Sequence, residues 1–91
     1  MSLDATEMAR IDALLQAIGA AANPETLGQA LRQLLPGLSC SLCDASDVIE
    51  EPFRETGMAQ LHLLDTAGHC FKVTDTPEEA TGLLIARKAA T

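Results

Sequence analysis

The sequence predicts an α+β fold: an N-terminal helical hairpin packed on a four-stranded, mostly antiparallel sheet, in the order ααβββαβ. Three observations carry this expectation. Apolar residues recur at three- and four-residue steps between Met8 and Leu34. They alternate from Leu38 to Cys43 and again from Met58 to Thr74. Thr76-Pro-Glu-Glu79 then opens a further helix between strands. The 91 residues read as a single domain, 1–91, with the hairpin at 4–35 and the sheet at 38–87, a short helix at 77–81 included.

The first helix starts at Asp4, an N-cap with Glu7 three residues on, the spacing of a capping box. Its apolar face is Met8, Ile11, Leu15, Ile18 and Ala22, widened by Leu14. Asn23 caps the second helix, and Pro24 sits at the first helical position, where its missing N–H costs nothing. Leu27, Ala30, Leu31 and Leu34 form that helix's apolar face, and Pro36-Gly37 stops it. Leu38 to Cys43 is a strand whose residues 38, 40 and 42 face the core, leaving Ser39, Ser41 and Cys43 outward. Residues 44–57 form an acidic connection in which Val48, Ile49 and Phe53 fold back onto the body.

Met58 to Asp65 and His69 to Thr74 form a hairpin, with Asp65-Thr-Ala-Gly68 as its three-residue turn. That turn sets Leu64 opposite Cys70, His62 opposite Lys72 and Leu61 opposite Val73. Leu61, Leu63, Phe71 and Val73 then face the helices, and His62, Leu64, Cys70 and Lys72 share the outer face. Thr76 to Glu79 is a second capping box, Gly82 ends its helix, and Leu83 to Ala86 is the last strand, pairing antiparallel.

Composition narrows the function. Thirteen acidic against six basic side chains give a net charge of −7, and there is no Trp or Tyr. A phosphate backbone is repelled and bases find no stacking platform, so nucleic acid is excluded as a partner. No apolar stretch approaches the roughly 20 residues of a membrane span, and the start lacks a secretory signal. The expectation is a cytoplasmic protein with reduced thiols and no cofactor.

The chemistry-bearing residues are Cys40-Ser-Leu-Cys43 and His69-Cys70. A closed zinc site needs four convergent ligands, but residues three apart on a strand point to opposite faces. A redox pair fares no better, because Asp44 and Asp47 beside Cys43 disfavour the thiolate. His62, Cys70 and Lys72 on one face would be a minimal thiol nucleophile, yet no oxyanion-stabilising loop accompanies them. The residues therefore predict no enzyme and no catalytic residue.

Leu35-Pro-Gly37 running into a strand that ends at Cys43-Asp44, the His69-Cys70 strand, and Glu79-Ala-Thr-Gly-Leu-Leu-Ile-Ala86 together resemble a family of small uncharacterised proteobacterial proteins. This family is a domain of unknown function, with some members in nitrogen-fixation gene neighbourhoods. The resemblance brings no activity with it. It includes Cys43, His69 and Cys70 but not Cys40, which keeps a thiol or metal role open for those three. The expected function is thus a non-catalytic accessory or adaptor protein with a protein partner or as a homodimer, its candidate interaction face His62, Leu64, Cys70 and Lys72. The alternative is a metal- or cluster-binding protein using Cys43, His69 and Cys70, completed across a dimer.

Overall fold

A computed structural model describes residues 3–48, 50–66 and 72–88. Two helices precede a five-stranded mixed sheet and pack on one face of it. Helix α1 (Ala5–Ile18) begins with the expected reciprocal cap: Glu7 N–H donates to Asp4 Oδ1 at 2.8 Å, and Asp4 N–H to Glu7 Oε1 at 3.1 Å. It ends at Ile18, a turn earlier than its apolar stripe suggests. Helix α2 (Pro24–Leu34) is capped by Asn23, whose Oδ1 accepts from Thr26 N–H at 2.8 Å. Ile11 of α1 and Leu27 and Leu31 of α2 are fully buried. Gly28 lets α2 lie close to the sheet, since a Cβ there would stand 3.3 Å from Ile85 Cδ1.

The strands are β1 (Ser39–Asp44), β2 (Arg54–Glu55), β3 (Ala59–Asp65), β4 (Lys72–Thr74) and β5 (Gly82–Arg87). The spatial order is β1-β5-β3-β2, with β4 also pairing β3. β5 runs antiparallel to β3, as expected of the last strand, but parallel to β1 on its other side. Leu61, Leu63, Leu83 and Ile85 face the helices and, with Leu27 and Leu31, make up the centre of the core. Cys40, paired with Leu83, packs against it. Leu42 shares that face but is 41% exposed, lying beyond the reach of the helices at the far end of β1.

Three expectations need correction. Among the described residues the strand count is five, because Arg54 and Glu55 pair with Leu61 and Gln60 inside what reads as an acidic loop. Arg54 also reaches the helix layer: its Nε donates to Asp12 Oδ1 of α1 at 2.8 Å, and its guanidinium stacks 4.5 Å from the Phe53 ring. The helix at 77–81 is a 3₁₀ turn, Pro77–Glu79, with no side-chain cap from Thr76. Glu79 instead accepts from Thr74 Oγ1 at 3.0 Å, and Gly82 opens β5 rather than ending a helix.

The third correction is the hairpin register. Lys72 pairs with Asp65, Val73 with Leu64 and Thr74 with Leu63, three residues from the register the turn predicts. An odd shift exchanges the faces of β4, so Val73 moves to the outer side. The observed pairing puts Lys72 Nζ 3.7 Å from Asp65 Oδ2 and sets Val73 against Leu64, matching charge with charge and apolar with apolar. β3 meanwhile is held by its six pairs with β5 and by Thr66 N–H donating to Thr81 Oγ1 at 2.8 Å. The turn residues 67–68, and Phe71, lie outside the described residues, as does Ile49.

Candidate functional site

The face of the sheet away from the helices carries Ser41 and Cys43 on β1, Leu84 and Ala86 on β5, His62 and Leu64 on β3, and Val73 on β4. The connection between β1 and β2 crosses this face. Val48 and Glu50 share the walls of a cavity of about 430 Å³ with Ser41, Leu64, Leu84 and Val73, and Lys72 stands at its side. A second, open cleft of about 550 Å³ lies where the end of β4 meets residues 50–53. Pro52, Phe53 and Val73 give it an apolar lining, and Glu50, Glu51, Asp75 and Glu79 give it an acidic one, with Lys72 the basic group among its described walls.

The candidate residues fall as follows. Cys40 and Cys43 sit on opposite faces, as strand alternation requires. Burial pushes the Cys40 thiol up from its ordinary value, and the nearby Arg32 guanidinium only partly opposes this. Arg32 Nη2 also donates to the Cys40 carbonyl at 3.1 Å. Cys43 is half-buried on the outer face near the end of β1. His69 and Cys70 lie outside the described residues. Among the described residues, no group of three or more His, Cys, Asp or Glu side chains could hold a metal ion.

The proposed interaction face does not hold together: Lys72 is exposed, but the register shift sets it opposite Asp65 and off the side of the sheet that carries His62 and Leu64. Leu64 is 4% exposed and His62 is 0% exposed. His62 stands opposite Leu84, not Lys72, and neither ring nitrogen has a hydrogen-bond partner. Burial pushes its imidazole below the ordinary value, with the Glu50 carboxylate partly opposing. Sequence reasoning placed His62 on the correct face but left that face open. The expected folding back of Val48 onto the body is seen in the cavity wall that it shares with Ser41, Leu64 and Leu84.

The acidic cleft is the feature sequence reasoning missed altogether. It needs both β2, which brings residues 50–53 to the edge of β3, and the true register of β4. Elsewhere the surface exposes Leu42 and Met58. No helix among the described residues is long and apolar enough to cross a membrane.

Two helices on one face of a mixed sheet, with an acidic cleft at its edge, define this as a small α+β protein. The model of a family of unknown function, DUF6129, matches residues 13–88, and the chain belongs to that family. No curated protein and no solved structure matches the chain significantly.

Proposed function

We propose that this protein is a non-catalytic accessory domain whose acidic cleft receives a basic, partly aliphatic segment of a partner protein. The observation that carries the reading is the cleft itself, with four carboxylates around Pro52, Phe53 and Val73. Apolar walls supply contact area, while the acidic rim selects a cationic partner and steers it in. The net charge of −7 adds to that selection over longer range. A bacterial cytoplasm, with the nitrogen-fixation setting of the resemblance, belongs to the same reading.

The test is fluorescence anisotropy with a labelled peptide of alternating lysine and leucine, and with its glutamate–leucine counterpart. The reading expects the lysine peptide to bind, more weakly as salt rises, and the glutamate peptide not to bind. Glu51→Lys combined with Asp75→Lys, both at exposed positions of the rim, should abolish binding without altering the circular dichroism. Equal affinity for the two peptides, or binding untouched by the double substitution, removes the reading.

A further inference from the structure

We propose that the protein pairs with a second copy of itself through the outer edge of β1, the two strands running antiparallel about Leu42. This edge lies across the sheet from the acidic cleft, so the inference does not depend on the partner reading.

Among the described residues β1 pairs only with β5, which leaves its other edge without a strand. None of its six residues is buried, whereas most of β3 and β5 are. Soluble proteins blunt such an edge with Pro, Lys or a bulge. Ser39-Cys-Ser-Leu-Cys-Asp44 holds no Pro and no Lys. Its register with β5 runs unbroken from Ser39 to Asp44, so no bulge turns the edge aside. The strand also carries Leu42, which is 41% exposed on the helix side. An unblunted edge with an apolar residue in open solvent is a template for another strand.

The occupant that fits is the same strand turned end for end. A two-fold axis through Leu42, normal to the sheet, extends the sheet and keeps both helix layers on one side. Leu42 then lies against Leu42 of the second copy, apolar against apolar. Residues 40 and 44 share the helix side with it, and the symmetry sets Asp44 opposite Cys40 of the second copy. Arg32 already reaches that point from α2, its Nη2 donating to the Cys40 carbonyl at 3.1 Å. Arg32 and Asp44 are both exposed, and neither belongs to an ion pair among the described residues. Across the two-fold each Arg32 meets the Asp44 carboxylate of the other copy, giving two equivalent ion pairs on either side of the Leu42 contact. A slip of one residue throws the helix layers to opposite faces and parts Arg32 from Asp44. A foreign strand has to bring an apolar residue and an acid two positions apart; this chain supplies both.

The test is sedimentation equilibrium of the full chain, in reductant, from about 5 µM to about 1 mM. The expected mass climbs from monomer to dimer and no further. Leu42→Lys, a lysine on the edge, should stay monomeric throughout. Arg32→Glu and Asp44→Arg each set two like-charged pairs across the axis, and each alone should weaken self-association by about tenfold or more. Mixed in equal amounts, the two variants regain both opposite-charge pairs, so they should form a heterodimer about tenfold tighter than either homodimer. A chain still monomeric at the highest concentration, a Leu42→Lys variant that dimerises like its parent, or a mixture no tighter than its components overturns the proposal. If Leu42→Lys lacks native circular dichroism, the mixture decides.

Discussion

Replacing His62 by Leu should make the protein more stable at pH 7.5. The ring is 0% exposed with both nitrogens unpartnered, and its neighbours Leu84, directly opposite, and Leu64, two residues along, are aliphatic. A buried polar group without a partner costs about 1–3 kcal/mol, and an aliphatic side chain of similar volume removes that cost. With a urea slope of about 1 kcal/mol per M, the midpoint moves up by about 1–3 M. The assay is urea unfolding followed by circular dichroism.

The pH dependence supplies a second, sharper criterion. Burial lowers the folded-state imidazole below 6.5, so on acidification the unfolded chain takes up this proton before the native state does. His62 therefore leaves stability complete above pH 6.5 and erodes it as pH falls below that value, by up to about 1.4 kcal/mol per unit. The gap between variant and parent should widen on acidification. A variant less stable than its parent at pH 7.5, or a gap constant down to pH 5.5, would refute the reasoning. Either outcome means that the ring has partners in solution.

Other expectations concern the scaffold and are read by the same unfolding assay. Asn23→Ala removes the acceptor for Thr26 N–H and should cost about 1 kcal/mol, with little change in native circular dichroism. Leu63→Ala opens a cavity at a fully buried core position and should cost about 2–5 kcal/mol; a loss below 1 would mean that the helices collapse onto the gap. The Asp12–Arg54 pair, 39% and 41% exposed, should show a coupling below about 1 kcal/mol in a double-mutant cycle with Ala at each position.

The elements that could be read from the sequence are those whose signals are local. Asp4 with Glu7 and Asn23 with Pro24 mark helix starts through bonds spanning three residues, and each forms as expected. Strand alternation likewise separates Cys40 from Cys43 without reference to the rest of the chain. The β3–β4 register was not legible, because the turn chemistry of Asp65 to Gly68 competes with non-local terms: the β5 ladder and the Lys72–Asp65 pair. Nor was β2, a two-residue strand whose Arg54 bonds to Asp12, 42 residues away. The candidate site inherits both omissions. Its walls come from segments that only the correct register and the extra strand bring together.

The position of β5 has a consequence for how the protein is made. β1 and β3 share no ladder among the described residues and are joined only through β5, whose Leu83 and Ile85 are fully buried in the core. During synthesis the helices and the first four strands emerge with their central seam still empty. Such a chain has a high proportion of distant pairings and nothing to gain from early collapse of the sheet. Folding then waits for residues 82–87 to clear the ribosome, and a ribosome stalled before Gly82 would display two unpaired strand edges to whatever lies nearby.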